Sequence, residues 1–209
     1  HTTGDNPDVV WIDSKNLGGL HDSGAGANLT ELIVDNWAQD EVDDFFIKAG
    51  WEAGMKDGIH YALPLFHGQV VLMYRTDLFE QAGIDPDSIR TRDDLLEAAK
   101  ELTQDIDGDG RIDIWGLGMP LKPEKTEMNP MTRSMIELST EPIISGDCAP
   151  IYATDAGVRS MRMNARFIQE NVTPRESFVY NTDDIVEQFA GGRYAITVAS
   201  GLRFPRTQR

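Results

Sequence analysis

The amino-acid sequence predicts an α/β fold. Short apolar runs rich in β-branched residues, such as Val70–Tyr74 and Tyr194–Ala199, alternate with longer stretches whose apolar residues recur at helical spacing. Asp, Asn, Thr and Gly stand at the joints between them.

Asp8-Val9-Val10-Trp11-Ile12-Asp13 follows Pro7 and reads as a buried strand. The Gly-rich stretch from Gly18 to Gly26 reads as a loop and a short helix leading to Leu29–Ile33. Its glycines do not form the G-x-G-x-x-G pattern of a dinucleotide loop. Residues 35–57 are acidic, with Phe45, Phe46, Ala49 and Ala53 as a helical stripe and the carboxylates on its wet face. Gly58–Pro64 reads as a strand entered through a tight turn. Val70–Tyr74 is a continuous apolar run, which suits a strand covered on both faces.

The second half carries three helices. Thr91 is an N-cap residue with Asp93 and Asp94 in the first turn, where the helix dipole favours negative charge. Leu95, Leu96, Ala99 and Leu102 then form an apolar face running to about Thr103. A second helix spans about Asp155 to Asn171, with Val158, Met161, Ala165 and Ile168 on one side. A third starts after Asn181-Thr182, carries Ile185, Val186 and Phe189, and ends at Gly191-Gly192, where a left-handed residue is cheap. Arg193–Ala199 is the strand that follows.

Composition excludes several roles. The formal net charge of −16 repels phosphate backbones and anionic lipid, so nucleic acid is not an expected partner. No run of about 18 apolar residues is present to form a membrane-spanning helix, and no direct membrane insertion is expected. No signal peptide is visible, so any targeting segment is expected to lie upstream or to have been removed. The single cysteine, Cys148, makes no internal disulfide and reads as a structural thiol.

The most conspicuous motif is Asp105-Ile106-Asp107-Gly108-Asp109-Gly110-Arg111-Ile112-Asp113. It matches the first nine positions of an EF-hand calcium loop, with Asp105, Asp107, Asp109 and Asp113 as carboxylate ligands and the Arg111 carbonyl at the seventh position. The twelfth position, a bidentate Glu in such loops, is Gly116, and residues 111–116 read as strand. This is a half-loop: either a weak calcium site or an Asp/Gly turn held by Asx hydrogen bonds. In both readings it is structural.

Signatures of catalysis are missing. The chain has no G-x-S-x-G, no H-E-x-x-H, no phosphate loop and no paired cysteines. The Asp43-Asp44 and Asp183-Asp184 pairs read as helix-surface or cap residues, and His67 has no identifiable partner as a base. No cofactor is required; calcium is the one ion the sequence suggests. A calcium-stabilised hydrolase and a calcium-dependent structural module are the alternative classes.

Four stretches, in order, carry a family resemblance. They are Pro7–Asp13; Gly58–Pro64 with Val71–Phe79 and Ala82–Ile84; Thr91–Leu96 with Asp107–Gly110 and Trp115–Leu117; and Phe189–Val198. The chain resembles the family 1 extracellular solute-binding proteins of bacterial ABC transporters, the group containing the maltose-binding protein. The resemblance implies a two-lobed, type II periplasmic binding protein that closes on its ligand at a hinge. Members are longer, so it also implies a chain incomplete at both ends. Residues 1–65 would be part of the first lobe, 66–204 most of the second, and 205–209 the start of a return segment, with the hinge crossing near Leu65 to Val70.

By the same resemblance, ligand residues sit on loops after strands, as in open α/β sheets generally. Trp11 and Asp13 match an aromatic-and-carboxylate pair that would stack on a sugar ring and accept its hydroxyls; for Trp11 the other reading is a core residue. Phe66, His67 and Gly68 fall on the hinge loop. Ser200, Gly201 and Arg203 follow the last strand. Leu202 and Arg203 stand where the maltose-binding protein has a stacking Trp, which leaves room for a sugar acid or another anion. The implied partners are a small polar solute, most naturally a carbohydrate, and the permease subunits of an ABC importer. The implied location is periplasmic or extracellular, free or lipid-anchored.

Overall fold

The computed structural model describes residues 7–12, 16–32, 34–46, 48–65, 70–122, 151 and 153–203. The chain divides into two compact units, His1–Gly68 and Gln69–Arg209.

In the first unit, Asp57 and Gly58 both take left-handed backbone angles (φ 53° and 80°). This is the turn that the Asp-Gly dipeptide favours between two strands. It joins β1 (Met55–Lys56) to β2 (Ile59–His60), paired antiparallel. The strand predicted over Gly58–Pro64 is thus only two residues long. Three short helices accompany the hairpin: α1 (Leu17–Asp22), α2 (Gln39–Phe45) and α3 (Lys48–Ala53). Aromatic rings hold the unit together. Trp37, Phe46 and Trp51 stack with centroids 5.0–6.4 Å apart, and Trp51 lies 4.3 Å from the His60 ring. His60 is 2% exposed, its backbone N–H donates to Thr30 Oγ1 at 3.0 Å, and its buried Nδ1 has no hydrogen-bond partner among the described residues.

The strand expected at Asp8–Asp13 is not formed over the described residues 7–12. Val9 is 88% and Trp11 72% exposed. A β-branched run becomes a buried strand only when another strand accepts its hydrogen bonds, and no described strand pairs with it.

The second unit is built on a three-stranded sheet in the order β3 (Val70–Tyr74), β5 (Tyr194–Ser200), β4 (Trp115–Gly118). Strand β3 is antiparallel to β5 and β4 is parallel to it. Around the sheet lie α4 (Thr76–Ala82), α5 (Arg92–Glu101), α6 (Asp155–Gln169) and α7 (Thr182–Ala190). One core cluster joins Leu78 and Phe79 of α4, Leu95, Leu96 and Ala99 of α5 and Phe167 of α6 to Leu117 and Ile196. The other packs Ile185, Val186 and Phe189 of α7 against Met73, Tyr194 and Ala199.

Capping explains where the helices start. Thr91 Oγ1 accepts the Asp94 N–H at 3.1 Å, and the Asp94 carboxylate accepts the Thr91 N–H at 2.8 Å. The Thr91 hydroxyl, 2.8 Å from the same carboxylate, and the Thr91 and Arg90 amides hold the Asp94 carboxyl below its ordinary pKa. Asn181 and Asp184 repeat the arrangement on α7, and Gly192 ends the following turn with φ 86°.

Two expectations are corrected in this unit. Strand β3 is not covered on both faces: among the described strands it lies at the sheet edge, and Val70, Val71 and Leu72 are 44%, 36% and 37% exposed. In α6 the face chosen from hydrophobicity is wrong. Val158, Met161 and Ala165 are exposed, while Ala156, Ser160, Asn164 and Phe167 are buried. Of the four predicted residues only Ile168 packs against the core. Asn164 Nδ2 donates to the Ser160 carbonyl at 2.8 Å, so polar residues on the inner face satisfy part of their need within the helix.

Candidate functional site

Because β4 and β5 run parallel, their carboxyl ends, Gly118 and Ser200, share one edge of the sheet. Open α/β sheets bind ligands at that edge, where loops leave the strands and backbone groups are not yet committed. Two threonines fix it. Thr197 Oγ1 donates to the Gly118 carbonyl at 3.1 Å, and Thr173 Oγ1 to the Leu117 carbonyl at 2.8 Å. Ser200 is also the register partner of Val70, the first residue of β3. The edge therefore lies where the chain enters the second unit.

Three predicted residues, Ser200, Gly201 and Arg203, stand here together. Residues 201–203 leave the strand in a single 3-10 turn. Arg203 then donates its Nε–H to the Asp183 carboxylate at 2.9 Å, with the Arg side chain 22% and the Asp side chain 52% exposed. Asp183 lies in the first turn of α7. The sequence alone places it on the helix surface or cap. The available signal was the Asn181-x-x-Asp184 spacing, which assigns the capping box to Asn181 and Asp184.

Trp11 belongs to the first unit and is exposed, not a core residue. Asp13, Phe66, His67 and Gly68 lie outside the described residues, as does Cys148. A depression of about 400 Å³, lined by Tyr180, Asp184, Glu187, Gln188, Gly191 and Arg193, follows α7 to the start of β5 instead of its end.

The aspartate loop gathers ligand atoms of Asp105, Asp107 and Asp109 within 4.8 Å of one another. Its carboxylates are engaged by the loop's own amides. Asp105 accepts from Gly108 N (2.8 Å) and Gly110 N (2.9 Å), Asp107 from Asp109 N (3.1 Å), and Asp109 from Arg111 N (2.8 Å). Asp113 accepts from Ile106 N at 2.7 Å. The Asp107 and Asp109 bonds are Asx turns. Gly116, the twelfth position, lies in β4, where an added Cβ would fall 1.8 Å from the Ala99 carbonyl oxygen. No side chain can close a calcium cage from there, so the loop fits the ion only in its first half.

The family model for bacterial extracellular solute-binding proteins matches residues 1–123, and the chain belongs to that family. It is 34% identical over 74 residues to the arabinooligosaccharide-binding protein of Halalkalibacterium halodurans, a stretch covering 35% of this chain and 17% of that protein. Solved structures share the fold. An ABC transporter solute-binding protein of Agrobacterium radiobacter K84 in complex with ribitol matches with a TM-score of 0.76 at 21% identity, over 100% of this chain and 49% of that one. The maltose/maltodextrin-binding domain of Bdellovibrio bacteriovorus bound to maltotriose gives 0.73 at 20% identity, over 99% and 49%. An ABC substrate-binding protein of Listeria monocytogenes in complex with cycloalternan gives 0.73 at 21%, over 99% and 50%. The fold class is α/β of the two-lobed periplasmic binding type, and the chain spans about half the length of the structures it matches.

Proposed function

We propose that the protein captures a carbohydrate or polyol outside the cytoplasmic membrane and delivers it to the permease of an ABC importer, making and breaking no bond. The observation that carries this reading is the fold match over essentially the whole chain to proteins solved with ribitol, maltotriose and cycloalternan. The relative related by sequence, an arabinooligosaccharide-binding protein, points the same way. The polar edge at Ser200, Gly201 and Arg203 supplies hydrogen-bonding groups suited to hydroxyls, and an exposed Trp11 supplies an aromatic face suited to a sugar ring. The proposed mechanism is lobe closure, driven by the ligand's better contacts in the closed state.

The test is a thermal-shift and calorimetry screen of the full-length protein against arabinooligosaccharides, maltotriose, ribitol, mannitol and tagatose. A ligand at about 100 times its Kd adds about 2.7 kcal/mol of stability, and it should be recovered chemically unchanged. Absence of any shift across the panel, or recovery of a cleaved ligand, overturns the proposal.

A further inference from the structure

We infer that Asp183 is a specificity residue of this solute site: by pairing with Arg203 it makes the β5 edge accept neutral polyhydroxylated solutes and disfavour carboxylated ones. The inference rests on the solute-binding reading above.

An unpaired arginine after β5 would point to an anionic solute, because a guanidinium grips a carboxylate through two parallel hydrogen bonds. The structure places a carboxylate there already. Asp183 Oδ1 accepts the Arg203 Nε–H at 2.9 Å, offsetting the positive charge and occupying an N–H that a bound carboxylate would use. The pair spans two elements, the first turn of α7 and the turn after β5, so neither residue's neighbours in sequence produce it. The α7 cap is complete without Asp183: Asn181 Oδ1 accepts the Asp184 N–H at 2.9 Å, and Asp184 accepts the Asn181 N–H at 2.8 Å. The carboxylate of Asp183 is half exposed and faces Arg203.

The consequence is electrostatic. A solute carboxylate arriving at Arg203 meets Asp183 beside it, and two like charges in one site repel. A hydroxyl has no such conflict. It donates to a carboxylate and accepts from a guanidinium, and a sugar or polyol carries such groups on adjacent carbons. The chain's net charge of −16 acts in the same direction on any approaching anion.

The experiment compares affinities, by calorimetry on the full-length protein, within pairs that differ only by oxidation of one terminal carbon: ribitol with ribonate, mannitol with mannonate, maltotriitol with maltotrionate. Wild type should prefer the neutral member of whichever pair it binds by about tenfold or more. Asp183→Asn should shrink that ratio by about tenfold, chiefly by improving the acid. Adding Arg203→Gln should abolish the gain, and Asp183→Glu should retain the wild-type preference. A purely structural role for Asp183 would weaken both members equally and leave the ratio unchanged. That result, or a wild type that prefers the acid, overturns the inference while leaving solute binding intact. If Asp183→Asn fails to fold, the wild-type ratio and the Arg203→Gln single variant, expected to lose affinity for the neutral member, decide the question. Failure of wild type to bind either member of any pair overturns the solute-binding reading itself, and the inference with it.

Discussion

Gly116 sits against Ala99 so closely that a methyl group on it would lie 1.8 Å from the Ala99 carbonyl oxygen. This approach lets β4 pack onto α5, joining Leu117 to Leu96, Ala99 and Leu102 in one core. Gly116→Ala must push strand and helix apart and should cost about 3 kcal/mol or more, by the mechanism of overpacking against backbone. Gly18→Ala is the control. It lies in α1 with nothing within 4 Å of the added methyl, and should stabilise by about 0.5–1 kcal/mol through helix propensity. Urea unfolding of both variants checks the contrast.

Trp11 is 72% exposed, so its side chain contributes little to the core. Trp11→Ala should leave the melting temperature nearly unchanged, within about 0.5 kcal/mol of stability. If Trp11 is part of the proposed sugar site, affinity for the proposed sugar should fall about tenfold, through loss of the stacking face. Equal affinity in the variant would remove Trp11 from the site.

Asp105 accepts two backbone amides of its loop. Asp105→Ala should therefore lower stability by about 1–2 kcal/mol even in EDTA, because both donors lose their partner. Asp105→Asn, which keeps one acceptor oxygen, should lose less. A loss that appears only when calcium is added would assign the carboxylate to the ion instead of the turn.

His60 is buried against Trp51, and burial lowers its pKa below the ordinary 6.5, partly offset by a hydrogen bond to the Ala62 backbone. The unfolded chain then takes up this proton at higher pH than the folded one. Stability from this residue is intact above about pH 6.5 and falls as pH drops from there toward the lower folded value. Denaturant titrations at pH 7.5, 6.5 and 5.5 should show this slope in wild type, and His60→Gln should flatten it. An unchanged slope in the variant would place the titration elsewhere.

Local signals were the most legible part of the fold. Thr91 with Asp94 and Asn181 with Asp184 announce helix starts because a cap is a contact among residues three apart. Asp57-Gly58 announces a turn because few residues tolerate its backbone angles. The faces were less legible. Periodicity in α6 favoured Val158 and Met161, yet Ser160 and Asn164 turn inward. Apolarity alone cannot tell which side of a helix its neighbours will cover.

The sequence by itself determined the α/β class, the extents and caps of the main helices, and the family to which the chain belongs, since all of these rest on contacts or patterns within short stretches. Only the tertiary structure decided that β3 lies at the edge of the described sheet, that residues 7–11 stay exposed, and that Arg203 is held by Asp183. The physical reason is the same in each case. Pairing of strands, burial of a face and neutralisation of a charge depend on groups distant in the chain, and no local pattern records which of them will meet.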